Sequence, residues 1–219
     1  MPPATGTYVK VFLLDDHDIV RQGLRDLLTP ARDIRVVGDS GSARVAQEAI
    51  LRLEAQVMVL DLHLQDGSGV QVCRRVRAID PSVQGLLLTS ADDDEALAAA
   101  VLAGAAGYVV KLARTSDVLG AIRRLGEGHG LMDDDLAESA SRMLRARADA
   151  CVPALSEDQL AVLDHVLAGR TDAEVARLMG RELAATQDDV AALIARLTSA
   201  PAVSPAVHGQ PGGKHRRVL

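Results

Sequence analysis

The sequence predicts an α/β protein, a doubly wound five-stranded parallel sheet followed by a small all-α unit. Two observations predict the sheet. Short apolar runs alternate with segments of helical spacing through the first half of the chain, and four of the five runs are nearly continuous, as strands covered on both faces should be. A third observation predicts the helical unit: after residue 128 the strand-like runs stop and only helical patterns remain.

Taken in order, the strand-like runs are "VKVFLL", "IRVVG", "VMVL", "GLLL" and "YVV". Between them lie "DIVRQGLRDLL", "SARVAQEAILRL", "GVQVCRRVRAI" and "DEALAAAVLAGA", and "SDVLGAIRRLGEG" closes the series. Right-handed crossovers between successive parallel strands put these helices on both faces of one sheet, spanning residues 7–128. A linker over 129–154 holds "DDDLAESASRMLRARADA", a helix with an acidic first turn, which Pro153 breaks. "LSEDQLAVLDHVLAG", "TDAEVARLM" and "ELAATQDDVAALIARL" then give three short helices over 155–197, with Ser156 and Thr171 as N-caps and Gly169 as a stop. The tail 198–219 is rich in Pro and Gly and is expected to be disordered; Lys214, His215, Arg216 and Arg217 give it a small basic end.

Composition narrows the function. With 48% apolar and 25% charged residues the chain should bury a core, and a net charge of −6 gives no global attraction to nucleic acid or anionic membrane. Any basic surface must be local. The aromatics are Tyr8, Phe12 and Tyr108, so base stacking by the C-terminal part is not expected. Cys73 and Cys151 make neither a disulfide framework nor a metal cluster. "MPPATGTYVK" lacks the apolar stretch of a signal peptide and no run is long enough to cross a bilayer, so the chain reads as soluble and cytoplasmic.

In doubly wound sheets the site forms beyond the carboxyl ends of the strands. There the sequence places Asp15 and Asp16, then Asp61, then Thr89 and Ser90, then Lys111. Crowded carboxylates repel unless a cation intervenes, and their oxygens suit Mg²⁺. A metal beside a carboxylate, a hydroxyl and an ammonium is what phosphoryl transfer requires, with Asp61 as nucleophile. Singly, each residue has a plainer reading as a turn, a cap or a solvated charge; the conjunction carries the argument. His17 reads as a polar loop histidine and Cys73 as a packed thiol. "DGSG" reads as a turn, since no G-x-x-x-x-G-K-[ST] pattern occurs.

"VFLLDDH", "VMVLDLHLQDGSG", "LLLTSADDDEA" and "LAGAAGYVVK" resemble the flavodoxin-like receiver domains of two-component response regulators of the NarL/FixJ type. Within that type the resemblance is to the DevR/DosR dormancy regulators. It implies that a sensor histidine kinase phosphorylates Asp61. It also implies Mg²⁺ on Asp15, Asp16 and Asp61, completed by the backbone carbonyl of His63. Thr89 and Lys111 would contact the phosphoryl group, and Thr89 and Tyr108 would form the switch. Gln65 stands where the family usually has proline, a change expected to loosen the loop after Asp61 while removing no ligand.

The same resemblance implies that residues 155–197 are a LuxR-type helix-turn-helix, with DNA and a second subunit or another protein as partners. Arg181, Thr186 and Gln187 are the DNA-contact candidates. The reading helix departs from the pattern. The family's lysine-bearing run falls on Ala184 to Asp188, Asp189 replaces a histidine or tyrosine, and Gly180 and Arg181 stand where apolar residues precede. Four arginines face eight carboxylates between 155 and 197, and carboxylates repel phosphates. Two readings stay open: a DNA-binding regulator, or a receiver whose degenerate output unit binds protein. The chain is not expected to be an enzyme, because a phosphatase using Asp61 would want an acid two residues on, where His63 stands.

Overall fold

The computed structural model describes residues 8–90, 94–111, 114–151 and 153–199. The first part runs β1 (Val9–Leu14), α1 (Asp18–Leu28), β2 (Ile34–Ser40), α2 (Ala43–Arg52), β3 (Val57–Asp61) and a short hairpin, β4 (His63–Leu64) and β5 (Gly67–Ser68). It continues with α3 (Gly69–Ile79), β6 (Gln84–Thr89), α4 (Asp94–Ala103), β7 (Gly107–Val110) and α5 (Thr115–Gly126). The five long strands form one parallel sheet in the order β2-β1-β3-β6-β7. The order reverses beside β1, so the crevice between β1 and β3 is the switch point.

Strand β1 shows why both faces are covered. Val11 and Leu13 join a core with α1 and α5 residues, whereas Phe12 and Leu14 join the opposite core with α2, α3 and α4. Side-chain alternation along a strand divides the apolar residues between two layers. Burial pushes the Cys73 thiol up to about 12, so it is an inert packed group.

The helical part comprises α6 (Asp134–Asp149), α7 (Glu157–Leu167), α8 (Asp172–Met179) and α9 (Leu183–Ser199). Ser156 with Gln159 and Thr171 with Glu174 form complete capping boxes at the starts of α7 and α8. Gly169 and Gly180 adopt left-handed φ values of 73° and 65° and end those two helices. Gly180 therefore replaces an apolar residue for a backbone reason. Helix α9 continues through Thr198 and Ser199, into the segment expected to be disordered. The Thr198 hydroxyl bonds the Ile194 carbonyl, and buried Arg147 of α6 donates to the Leu197 carbonyl, supplying partners at the helix end. The rest of the tail, with its basic end, lies outside the described residues.

Helix α4, "DEALAAAVLA", is apolar all round, and such a helix must be covered on every side. The sheet and α3 cover it from below; α6, α7 and α9 roof it. A single hydrophobic cluster consequently runs from Phe12 of β1 to Leu197 of α9. Among the described residues no helix is long and apolar enough to cross a membrane.

Candidate functional site

The carboxyl end of β1 delivers Asp15, fully buried, and Asp16, whose side chain is 9% exposed. From β7 comes Lys111, held beside β6 by its backbone N–H on the Thr89 carbonyl at 2.7 Å. Its Nζ donates to Asp15 Oδ2 at 2.8 Å and to Asp61 Oδ2 at 2.7 Å, so the lysine bridges the two carboxylates. Thr89 is buried at the end of β6. Tyr108 packs against the core that contains α4.

Burial raises the Asp61 pKa above the ordinary carboxylate range, against the lowering effect of Lys111 and of the His63 backbone N–H. Burial also works against the Lys111 charge, but its hydrogen bonds to Asp15 and Asp61 prevail and its pKa rises. The two shifts pull opposite ways on one pair. The lysine is firmly charged, yet, shared between two carboxylates, it does not offset the desolvation of Asp61. A further cation would. The donor set fits one: Asp15, Asp16, His17 and Asp61 each offer an atom within 4.8 Å of the others, and Asp16 Oδ1 is buried without a hydrogen-bond donor. The His63 imidazole is not in this group; it is exposed and lies 3.8 Å from Glu95.

The loop after Asp61 is tied down from several sides. A Cβ on Gly69 would lie 2.1 Å from the Asp61 backbone oxygen, so only glycine lets α3 start this close to the site. Asp66 accepts from Ser42 Oγ at 2.6 Å and from the Ala43 N–H at 2.9 Å, anchoring the hairpin to the start of α2. Gln65, expected to loosen the loop, does the opposite. Its backbone N–H donates to Asp16 Oδ2 at 3.1 Å, a bond that proline lacks the hydrogen to make.

The model of the response regulator receiver domain family matches residues 11–123, more than half of the chain. The chain belongs to the response regulator family. The regulator is 36% identical over 191 residues to the DNA-binding transcriptional activator DevR/DosR of Mycobacterium tuberculosis, covering 86% of this chain and 88% of the relative. It also matches the crystal structure of a LuxR-family two-component response regulator from Aurantimonas sp. SI85-9A1, with TM-score 0.55, 28% identity, and coverage of 62% of this chain and 97% of that one. A structure of RcsB from Salmonella typhimurium shares the fold over 88% of this chain and 93% of that one, at TM-score 0.52 and 23% identity.

In this response regulator the helical part closes on the receiver through one buried arginine. Arg74 of α3 donates to Asp172 Oδ1 at 2.6 and 3.0 Å, to the Arg170 carbonyl at 3.0 Å, and to the Leu102 carbonyl of α4 at 2.9 Å. Sequence reading missed it. The available signal was an arginine one turn after Val70 on the apolar stripe of α3.

The DNA-contact candidates are separated by the fold. Arg181 is engaged by Asp158 at 2.5 Å and Asp189 at 3.0 Å. Thr186 is fully buried and bonds the Glu182 carbonyl at 3.0 Å, so it faces the core and drops out as a base contact in this arrangement. Gln187 is half-buried. Ala184, Ala185, Asp188 and Ala192 form the exposed face of α9.

Proposed function

We propose that this response regulator is a cytoplasmic transcription regulator in which a sensor histidine kinase phosphorylates Asp61. The Asp61 carboxylate attacks the phosphorus of a phosphohistidine, forming the O–P bond as the N–P bond breaks, and the departing imidazole keeps the electron pair and takes a proton. Mg²⁺ held by Asp15, Asp16, Asp61 and the His63 carbonyl would neutralise charge on the transferring phosphoryl group. Lys111 balances the remaining charge, and the Thr89 hydroxyl donates to a phosphoryl oxygen. The observation that carries the reading is Lys111 bridging Asp15 and Asp61 at the switch point of the sheet.

Thr89 ends the strand leading into α4, and Tyr108 packs on the core of that helix. Movement of both on phosphorylation would disturb the helix that α6 and α9 roof, releasing the helix-turn-helix, with residues 155–197 as the output unit. A second reading, in which the output unit binds protein, is favoured by Arg181 being neutralised by two carboxylates and by the exposed face of α9, which carries Asp188 and no cation among the residues named above. Fluorescence anisotropy of the full chain with promoter duplexes across a salt series, with and without beryllofluoride and Mg²⁺, separates the two. Binding that tightens on activation and weakens with salt supports the transcription regulator. If activated protein binds no duplex, the output is protein contact.

A further inference from the structure

We infer that the junction between the receiver and α9 holds a binding site for a small organic cation, an amine carried on a compact apolar body. The site itself does not depend on the chemistry of Asp61. Only its coupling to phosphorylation rests on the release of the helical part proposed above.

A cavity of about 230 Å³ opens where α9 meets the starts of α3 and α4, beside the loop after Asp61. Leu62 and Val70 form its receiver wall with Ala99 of α4, and Ala191, Ile194 and Ala195 of α9 face them. Ala191 and Ala195 stand one turn apart, and with Ala99 opposite, three methyl groups leave room that longer side chains would fill. Two of the polar groups on the lining are already used. Ser68 Oγ accepts from the Val70 N–H at 3.2 Å, and the Thr198 hydroxyl donates to the Ile194 carbonyl at 2.9 Å. Water held there would find few partners, and the walls forfeit dispersion contacts across an empty gap. An apolar group recovers those contacts. A cavity of about 150 Å³ takes one benzene ring, so this one has space for about nine non-hydrogen atoms.

The mouth sets the sign of the polar end. Glu95 of α4 and His63 stand there 3.8 Å apart, past hydrogen-bond reach, and the Glu95 side chain is 42% exposed. Among the described residues no lysine or arginine lines the cavity, so an anion would meet the Glu95 carboxylate with no fixed positive charge to offset it. An ammonium meets an opposite charge. A mostly apolar cavity between two units, with a few polar groups at its opening, is a common setting for small-molecule binding. Because both walls are needed, the ligand selects the docked arrangement and loses affinity wherever α9 leaves α4.

2-Phenylethylamine matches the size of the cavity, and 2-phenylethanol is its uncharged counterpart. In full-length protein with labelled isoleucine methyl groups, the amine should shift Ile194 saturably and leave Ile34 and Ile122, which lie in or beside the opposite core, unmoved. The alcohol should bind about two- to fivefold more weakly, as a part-exposed ion pair allows, and Glu95→Gln should erase that difference. Ala191→Leu fills the cavity and should abolish the response to both probes; Ala195→Leu, on the same wall, repeats the test if the first variant misfolds. No response at Ile194, the result expected if the chain's own residues beyond Ser199 occupy the space, overturns the inference, as does binding that survives both fillings. Equal binding of amine and alcohol overturns the cation assignment. Beryllofluoride with Mg²⁺ should weaken amine binding, and the amine should weaken beryllofluoride binding by the same factor. A saturable Ile194 shift that activation leaves unchanged supports the site and refutes release on phosphorylation.

Discussion

Replacing Asp172 by Asn tests whether one buried ion pair holds the two parts of the regulator together. The Arg74 and Asp172 side chains are 7% and 9% exposed, so solvent screens the pair little. Removing one partner of a buried pair leaves the other charge uncompensated and costs about 3–5 kcal/mol. That cost falls on the docked arrangement only, since an undocked Arg74 is solvated. Undocking should become more favourable by roughly 10²-fold to several thousand-fold, at about 1.4 kcal/mol per factor of ten. Asp172→Asn is cleaner than Arg74→Ala because it keeps the Arg74 bond to Leu102 within the receiver. Hydrogen exchange followed by mass spectrometry should show faster exchange in α8, α9 and the roofed part of α4, with β1 and β3 unchanged. Unchanged exchange in α8 would refute the claim that the pair secures the junction. Equal loss of protection throughout the sheet would show that Asp172 supports the whole fold.

Other outcomes follow from the site. Asp61→Asn should accept no phosphoryl group, and in chelator it should melt higher than the parent protein at neutral pH. The sign follows from its raised pKa: below about pH 3.9 the residue is protonated in both states. As pH rises from there through the folded-state value, the parent pays a growing desolvation cost that asparagine avoids, so the melting difference should open over that window. Gln65→Pro should remove the donor to Asp16 Oδ2 and lose about 1 kcal/mol or more, read as a lower thermal midpoint. Gly69→Ala should cost more, because backbone rather than a flexible side chain blocks the new methyl; urea midpoints of the two variants give the order.

The fold was legible because its signals are local. Continuous apolar runs marked strands buried on both faces, and Ser156, Thr171 and Gly169 marked helix ends through capping and backbone chemistry that need no distant partner. The gathering of Asp15, Asp61 and Lys111 was equally legible, because parallel strands bring their carboxyl ends to one edge. Contacts set by packing between distant segments were not. Arg74 meets Asp172 across 98 positions, and no periodicity announces such a pair. Gln65 looked like a loosening because sequence shows the lost ring of proline and hides the gained N–H. Thr186 looked like a base contact because gap-free counting fixes its place in a motif but not which side of α9 it faces.

The roof over α4 bears on how such chains can be recombined. A receiver joined to its output by a loose tether can be fitted with a different output unit, because neither part needs the other to complete its interior. Here α4 is covered by α6, α7 and α9 as well as by α3 and the sheet, and Ala98, Ala99 and Ala100 are each at most 2% exposed. Grafting this receiver onto a foreign output would leave an alanine-rich apolar ridge in water, and moving α6 to α9 elsewhere would strip them of their floor. The natural unit of exchange in this protein is therefore the whole chain from β1 to α9.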